Sequence, residues 1–326
     1  MARADTFAAN PHWLPPVPSA RLEHVPGTKG WPIVGNTLEI LRDPPGFLRR
    51  QHAKYGKVHR HGWLGGSTVM LLGPEANELV LFDRDKLFSS EQGWGPTLNQ
   101  LFPRGLMLMD FDKHRVHRRT LSVAFKPDPM RLYAEELNRG IAARVARWRG
   151  RNINFYPEIK QLTLELAAVS FLGTPVGPEA DHVNQAFVDM VQASIAPIRA
   201  PIPGTAMGRG VAGRKYLLDY FGREVPRRRQ STSEDMFSQI CRARHEDGSY
   251  LSDDEIVDHM NFLMMAAHDT ITSSATSLVM QLGRHPEWQD RLREEMLALG
   301  VNGDALPYER LGDLQLTNHA DRKSVV

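Results

Sequence analysis

Apolar residues that recur at helical spacing occupy most of the chain after Pro74 and predict a mainly α protein. The pattern predicts helices over residues 45–55, 74–82, 113–125, 129–148, 157–172, 179–195, 213–228 and 234–245. Two short segments of strand type, 58–63 and 68–72, flank Gly65 and Gly66 and predict one β-hairpin. We therefore expect a single domain that is mainly α with a small β region.

The segment 252–283 carries the most clearly marked helix of the chain. Ser252 and Glu255 have the spacing of a capping box, and Asp253 and Asp254 place negative charge at the positive end of the helix dipole. Roughly thirty residues at a rise of about 1.5 Å each give a helix ~45 Å long. A helix of that length can cross a whole domain, so we expect it at the centre of the fold.

Composition is that of an ordinary globular protein, since 41% of the residues are hydrophobic and 24% are charged. A formal net charge of +2 gives no reason to expect a nucleic-acid partner. The single cysteine, Cys241, excludes an internal disulfide and fits a reducing compartment. No signal peptide and no apolar stretch of bilayer length is visible, so we expect a cytoplasmic protein without a transmembrane anchor.

The middle of the long helix changes abruptly from apolar to polar residues. Residues 262–267 are apolar all round, as in a helix that is buried on every side, and Ala266 and Ala267 leave room for a flat group. Asp269 and Thr270 follow directly, and a buried carboxylate is costly unless it is paired or functional. The pattern indicates either an interhelical hydrogen-bond patch or groups that handle protons beside a cofactor.

A basic stretch earlier in the chain offers two kinds of binding site. His114 and Arg118 lie four residues apart, so on a helix they share one face and can meet a single anionic group. A solvated basic face is the simpler interpretation. The metal site of a metal-dependent hydrolase would instead use Asp110, Asp112, His114 and His117. The spacing of these four residues matches no zinc motif with a known mechanical basis, which makes the hydrolase the weaker alternative.

The segment Ala266-Ala267-His268-Asp269-Thr270 resembles the Ala/Gly-Gly-x-Asp/Glu-Thr signature in the central helix of cytochromes P-450, which are haem-thiolate monooxygenases. Ala267 departs from the usual glycine. The resemblance implies that the Thr270 hydroxyl hydrogen-bonds dioxygen and that Asp269 relays protons for cleavage of the oxygen–oxygen bond. It also implies that haem lies against Ala266 and Ala267.

Four further segments resemble the same family. Residues 112–125, DKHRVHRRTLSVAF, resemble the helix that binds the haem propionates, which implies that role for His114 and Arg118. Arg115 and Arg119 would then face an acidic electron donor. The other segments are PGTKGWPIVGN, IPGTAMGRGVAGRKYL and HPEWQDRLREEM. We therefore predict a proline-rich lead-in over residues 1–32 and a partial cytochrome P-450 domain over 33–320.

Two motifs of the family should follow the central helix and do not. One is the haem-ligand cysteine, in a loop resembling Phe-x-x-Gly-x-x-x-Cys-x-Gly, and the other is a Glu-x-x-Arg pair. Cys241 precedes the central helix, and its helical surroundings indicate a small core residue. The letters Glu-x-x-Arg occur only before that helix, where they predict surface ion pairs of Glu136 with Arg139 and Glu224 with Arg227.

The last six residues of the sequence do not resemble the cytochrome P-450 family. Residues 321–326, DRKSVV, resemble a translated sequencing adapter. We therefore expect a non-native tail after a cytochrome P-450 domain that is incomplete at its C-terminus. Such a fragment is expected to be inactive, since it holds no thiolate for the haem iron.

The resemblance implies a haem-dependent monooxygenase that hydroxylates an apolar small molecule, sterol-, retinoid- or fatty-acid-like, with dioxygen and two electrons. A ferredoxin or a flavoprotein reductase would supply the electrons. A non-catalytic protein that binds lipophilic ligands is the second alternative, besides the hydrolase. The apolar residues expected to line the substrate pocket are Trp94, Leu98, Leu101, Phe102, Met107 and Phe262. Core packing is the competing explanation for each of them.

Overall fold

The computed structural model describes residues 19–63, 66–174, 177–196, 198–300 and 305–324. The chain divides into two compact units, residues 1–92 and 93–326. Most of the predicted lead-in over residues 1–32 lies outside the described residues, as do Leu64 and Gly65 of the predicted hairpin.

The first unit combines a small sheet with short helices. Its elements are a 3-10 turn at Ser19–Leu22, β1 Gly27–Thr28, α1 Thr37–Arg42, α2 Pro44–Tyr55, β2 Val58–Trp63, β3 Gly66–Leu71 and α3 Pro74–Phe82. Strands β2 and β3 pair antiparallel, with Val58 opposite Leu71, which confirms the predicted hairpin. The pattern does not predict β1, which pairs with β2 in parallel. A Cβ on Gly27 would lie 2.0 Å from the carbonyl oxygen of Arg60, so this pairing requires glycine.

The second unit is helical in all of its described residues that form regular structure. Its α-helices are α4 Ser90–Leu98, which begins in the first unit, α5 Phe111–Leu121, α6 Pro127–Trp148, α7 Phe155–Leu172, α8 Pro178–Ser194, α9 Ala206–Gln230, α10 Met236–Arg242, α11 Asp253–Arg284, α12 Pro286–Ala298 and α13 Gln315–Ser324. The mainly α prediction is confirmed. Within the part of the chain that the structure describes, no helix is both long and apolar enough to cross a membrane.

Helix α9 starts seven residues before its predicted start at residue 213. The Thr205 hydroxyl accepts a hydrogen bond from the Gly208 N–H at 3.1 Å, which caps the helix at an earlier position. Gly210 and Gly213 then face α8, and a Cβ on Gly213 would lie 2.8 Å from the carbonyl oxygen of Ala186. These glycines therefore allow α8 and α9 to approach closely rather than marking a boundary of the helix.

The core of the second unit is built on aromatic residues of α8, α9 and α10. The Phe221 ring lies edge-on to Phe237 with centroids 5.3 Å apart and lies 6.2 Å from Phe187, and all three side chains are fully buried. Cys241 belongs to the same cluster, and burial raises the pKa of its thiol to about 12. The prediction that Cys241 is a small core residue is confirmed.

Helix α11 has the predicted cap and packs against α7, α8, α9, α10, α12 and α13. The Ser252 hydroxyl accepts from the Glu255 N–H at 3.3 Å, and the Glu255 carboxylate accepts from the Ser252 N–H at 2.8 Å. The helix contains 32 residues, which corresponds to a length of ~48 Å. Both the capping box and the central position of this helix are therefore confirmed.

Candidate active site on the central helix

Asp269 and Thr270 lie near the middle of α11. The Thr270 hydroxyl donates a hydrogen bond to the carbonyl oxygen of Ala266, one turn earlier, at 2.8 Å. The Asp269 carboxylate lies 3.4 Å from the Lys160 ammonium of α7, and each of these two side chains is about one third exposed or less. The site therefore holds a charge-paired carboxylate next to a hydroxyl, and water can reach both.

Lys160 was not identified from the sequence. Its only signal there is a charged residue within a helical pattern, and that pattern does not reveal which face of α7 meets α11. A second contact between the same two helices lies one turn farther along both, where the buried hydroxyls of Thr163 and Thr272 are 3.0 Å apart. The two contacts together fix how α7 and α11 align beside Asp269.

The apolar stretch before Asp269 is not buried on every side, contrary to the prediction. Phe262 and Met264 are 8% and 1% exposed. The half-buried positions are Leu263, Met265, Ala266 and Ala267. Within the described residues, one side of the helix is therefore covered by protein and the side with small residues only partly so. Two alanines in succession leave a flat surface there.

On α5, His114 and Arg118 share one helix face as predicted, with His114 half-buried and Arg118 exposed. Burial lowers the pKa of the His114 imidazole, the Arg118 guanidinium lowers it further, and the Asp110 carboxylate opposes this change. Near neutral pH the pair therefore offers one neutral ring and one permanent cation. The two groups suit an anion that binds both at once.

Two other cations of α5 already have acidic partners, whereas Lys113 has no ion pair among the described contacts. Arg115 lies 3.1 Å from Asp112, and Arg119 forms an ion pair with Glu246. Each partner offsets one of the positive charges that the sequence assigns to docking of an electron donor. The net positive field of this surface is therefore weaker than the count of arginines indicates.

The metal-site alternative fails on geometry. Among the described residues, no three His, Cys, Asp or Glu side chains converge on a position that could hold a metal ion. Asp112 pairs with Arg115 at the exposed surface, whereas His117 is buried and contacts His259. Asp112 and His117 therefore lie in different environments and do not face a common position. The interpretation of this cluster as the site of a metal-dependent hydrolase is wrong.

The family model for cytochrome P450 matches residues 25–320. The chain belongs to the cytochrome P450 family. Haem is the cofactor of this family, and its members are monooxygenases. Residues 266–270 are the segment of this P450 chain that resembles the central-helix signature of the family.

Relatives of this P450 include cytochrome P450 136 of Mycobacterium tuberculosis, 39% identical over 292 residues that make up 86% of this chain and 58% of that protein. Abscisic acid 8'-hydroxylase 2 of Oryza sativa is 27% identical over 291 residues, or 86% of this chain and 57% of the relative. The chain thus spans less than two thirds of the length of these curated relatives.

The structure of retinoic acid bound cyanobacterial CYP120A1 matches this P450 with a TM-score of 0.79 and 24% sequence identity. The match covers 92% of this chain and 68% of that chain. At this level of identity the likeness shows the fold, and it confirms the predicted cytochrome P450 fold.

Part of a haem environment fits the residues present. The alanines at 266 and 267 give a flat apolar surface, and His114 with Arg118 gives a pair of groups for propionates. Cys241 does not fit as an iron ligand, because it is fully buried in the aromatic core. Burial also raises the pKa of its thiol to about 12, so the thiolate that binds iron is not formed at neutral pH. Of the residues that the family resemblance assigns to haem, the alanines and the pair on α5 have suitable chemistry, whereas Cys241 does not supply the thiolate.

The residues predicted to line the substrate pocket fall into two groups. Leu98, Leu101 and Phe102 are at most 4% exposed and belong to the main apolar core. The others are Trp94, which is half exposed, Met107, which is half-buried, and Phe262. A Cβ on Gly105 would lie 2.5 Å from the Phe262 side chain, so the loop before α5 contacts α11 there. For the first three residues, core packing is the better explanation.

The predicted surface ion pairs are present. Glu136 pairs with Arg139 at the surface of α6. Glu224 lies 3.1 Å from Arg227, and it also lies 3.7 Å from Arg228. Both pairs have the helical spacing that the sequence indicates, and neither contacts the candidate site.

Proposed function

We propose that this chain forms the oxygen-activating part of a haem-dependent monooxygenase that hydroxylates an apolar small molecule, with two electrons from a separate donor. One observation carries the proposal. A partly exposed carboxylate and a hydroxyl occupy successive positions of the central helix, one residue after two alanines that leave a flat surface. Membership of the cytochrome P450 family supports the same assignment.

Haem, when bound, supplies the activation of dioxygen. The chain supplies proton handling beside it. The Thr270 hydroxyl donates a hydrogen bond to the Ala266 carbonyl oxygen, so the lone pairs of the hydroxyl oxygen stay free to accept another hydrogen bond. A rotation about the Cβ–Oγ bond would exchange this bond for one that points outward from the helix. The Asp269 carboxylate is held by the Lys160 ammonium at 3.4 Å and exchanges protons with water that reaches both groups.

His114 and Arg118 would hold the carboxylates at the edge of the haem. Arg118 gives a permanent charge, and the lowered pKa of His114 means that the ring stays neutral until an anion arrives. An anion next to the imidazole favours the protonated form, so binding would add a second cation and a second charge-assisted hydrogen bond. The pair therefore binds an anion more strongly than its resting charge indicates.

The substrate class is an apolar molecule of the size of a sterol, a retinoid or a fatty acid. Two relatives support an isoprenoid acid within this class, since one is named an abscisic acid hydroxylase and one solved structure holds retinoic acid. Trp94, Met107 and Phe262 are the apolar residues on this chain that would contact such a substrate.

A ferredoxin or a flavoprotein reductase would donate the electrons. Lys113 and Arg118 are exposed cations of α5 without an ion pair among the described contacts, and Arg118 is assigned to the haem edge. An acidic donor would therefore meet Lys113 directly, whereas Arg115 and Arg119 would first have to exchange their present partners, Asp112 and Glu246, for acidic groups of the donor. A single thiol that is buried and protonated is compatible with a cytoplasmic protein.

The first test uses the protein translated from the whole gene. We expect it to bind haem and to give the carbon monoxide-bound spectrum of a haem thiolate after reduction. Asp269→Asn and Thr270→Ala should each lower turnover about 10²-fold while haem content stays unchanged. Ser273→Ala, which removes an exposed hydroxyl from the same helix, is the matched control.

The second test uses the 326-residue chain and a haemin titration. Replacing His114 and Arg118 by alanine removes two groups that bind an anion, so the haemin dissociation constant should rise about 10- to 100-fold. Arg151→Ala, at an exposed arginine away from α5, should leave it unchanged. A whole protein that purifies colourless and refuses haemin contradicts the proposal. Tight binding of an apolar ligand by that colourless protein would favour a non-catalytic binding protein.

A further inference from the structure

Two buried histidines join α5 to α11 at a distance from the residues discussed so far. His117 Nδ1 lies 2.8 Å from His259 Nε2, and the ring centroids are 5.0 Å apart. His117 is 5% exposed and His259 is fully buried. A direct hydrogen bond between two imidazoles, buried between helices that are distant in the sequence, is costly to keep unless both rings have a defined protonation state.

Three groups surround this pair. Glu255, the residue of the capping box, has a carboxylate oxygen 3.6 Å from His117 Nε2. His245, in the segment between α10 and α11, lies edge-on to His117 with centroids 5.8 Å apart, and its Nδ1 lies 2.9 Å from the Thr120 hydroxyl. On α5 itself, the Lys113 charge acts on both buried rings.

The hydrogen bonds decide where the protons are. His259 Nδ1 is buried without a hydrogen-bond partner, and an unpaired lone pair is tolerated more readily than an unpaired N–H. We therefore assign the proton of His259 to Nε2, which donates to His117 Nδ1. The proton of His117 is then on Nε2, which faces Glu255.

Protonation of His117 is incompatible with this arrangement. A charged His117 carries N–H groups on both nitrogens, so His259 would have to accept at Nε2 and move its own proton to Nδ1. That atom has no partner, and a buried N–H without an acceptor is strongly destabilising. Burial lowers the pKa of His117 and lowers that of His259 to about 3, which agrees with a pair that is neutral in the folded protein.

Protons can reach the pair from one side. A cleft of about 550 Å³ opens at His117 and His245, and the ion pair between Arg119 and Glu246 lies at its edge. A metal ion is not the natural occupant, because the nitrogen of His117 that faces His259 and the nitrogen that faces Glu255 are on opposite sides of the ring. No group of three ligands converges there among the described residues.

We propose that His117 is a positioning residue whose neutral ring holds α5 against α11 and whose protonation releases α5, so that the pair His117 and His259 acts as a proton-operated latch. The start of α5 adds a reason for such a hold. Phe111, its first residue, has φ of 48°, a left-handed conformation that residues with a Cβ rarely adopt. Contacts along the helix must therefore keep α5 in place against a strained start.

The latch has a consequence that rests on the proposed function. His114 and Arg118 lie on the same helix as His117, so release of α5 would displace the two groups assigned to the haem propionates. The 326-residue chain should then bind haemin less tightly at about pH 5 than at about pH 7.5. The latch itself requires no haem and can be tested without it.

Hydrogen exchange of the 326-residue chain, followed by mass spectrometry, tests the latch. After correction for intrinsic rates, amides of α5 should exchange about tenfold faster at about pH 5 than at about pH 7.5, while amides of α8 and α9 should not change. His117→Asn keeps an acceptor for His259 and cannot be protonated, so its α5 should exchange equally at both pH values. His285→Asn, at an exposed histidine, should keep the wild-type pH dependence.

Three results would overturn the latch. One is α5 exchange in the wild type that does not depend on pH, and another is a His117→Asn variant that keeps the dependence. The third is acceleration of α8 and α9 together with α5, which means global unfolding. If His117→Asn does not fold, ring ¹⁵N shifts of the wild type decide instead, because the latch requires His259 Nδ1 to stay unprotonated at about pH 7.5.

Haemin titrations at the same two pH values separate the latch from its consequence. If α5 exchanges faster at about pH 5 but haemin affinity does not depend on pH, the latch is supported. Its predicted effect on haem binding is then wrong. No haemin binding at either pH counts against the proposed haem site, while the exchange result stands independently.

Discussion

The two halves of α11 have the same backbone and opposite surroundings. In the first half, Ile256, Met260 and Met264 are at most 1% exposed. In the second half, Ile271, Val279 and Met280 are 41% to 51% exposed, although they are equally apolar. One half of the helix therefore fixes its position in the core, and the other half presents side chains to a surface that the described residues do not cover.

Three titratable groups of the helix, Asp258, His259 and Asp269, follow the same division. In the first half, Asp258 and His259 are buried and each has a partner on a different segment, Arg104 at 2.5 Å and His117 at 2.8 Å. In the second half, the Asp269 carboxylate is paired with Lys160 but stays about one third exposed. Reactive groups on a helix that is held rigidly elsewhere keep their position while their protons remain exchangeable.

The largest effect should come from the same substitution made in each half. Met260→Ala removes a fully buried side chain and leaves a cavity, so it should lower the free energy of unfolding by about 2–5 kcal/mol. Met280→Ala, at a side chain that is 48% exposed, should change it by no more than about 0.5 kcal/mol. Urea unfolding of the two variants measures the difference. Equal losses would show that the second half is packed as tightly as the first.

The buried ion pair of the first half should give the next largest effect. Arg104→Met leaves Asp258, which is 5% exposed, without its charge partner and should cost about 1.5–3 kcal/mol at neutral pH. Burial raises the pKa of Asp258 and Arg104 lowers it, so the variant has a still higher folded pKa. A raised carboxyl pKa means that stability is present at low pH and lost as pH rises.

The deficit of Arg104→Met relative to the wild type should therefore shrink as pH falls towards about 4. Urea unfolding at that pH and at neutral pH measures this change. Arg84→Met removes a partner from the exposed pair with Glu78 and serves as the control that should show no pH-dependent deficit. A deficit of Arg104→Met that grows on acidification would mean that Asp258 is not the group left unpaired.

The sequence predicts this division only in part. The cap at Ser252 and the apolar run before Asp269 are local patterns, so the start, length and central place of α11 follow from them. Which apolar residues are covered depends on helices that arrive from elsewhere in the chain. For that reason the same pattern predicts burial for Ala266 and Ala267, which is wrong, and for Met264, which is right.

The candidate site shows the same limit. Asp269, Thr270 and the pair on α5 carry a family signature and a helical spacing, and both can be read directly. The roles proposed for Lys160 and His259 depend on contacts with Asp269 and His117, which lie more than a hundred residues away in the sequence. Strand β1 and helix α4 were missed for a local reason, since two residues show no period and Pro96 interrupts the helical pattern.

The contact between Thr163 and Thr272 should have an intermediate effect. The Thr163 hydroxyl also donates to the Lys160 carbonyl oxygen at 3.0 Å, so the Thr272 hydroxyl donates in this contact. Thr163→Val leaves the buried Thr272 hydroxyl without a partner and should cost about 1 kcal/mol, and Thr272→Val, which leaves Thr163 its bond to Lys160, should cost less. The double variant removes both hydroxyls and should cost less than the sum of the single losses. Urea unfolding of the four proteins completes the cycle. Additive losses would show that the two hydroxyls do not depend on each other.

The smallest effect on stability should come from the pair that the proposed function needs most. Lys160 and Asp269 are 26% and 34% exposed, so solvent screens their attraction and Lys160→Met should cost at most about 1 kcal/mol in urea unfolding. Lys57→Met, which breaks the more exposed pair with Glu75, is the matched control.

A loss well above that of the control would mean that Lys160 and Asp269 hold α7 to α11, and the division between the two halves of α11 would fail. A small loss means that the carboxylate can leave the ammonium at little cost. That is the property a residue needs if it is to exchange a proton with water and return to the same position beside Thr270.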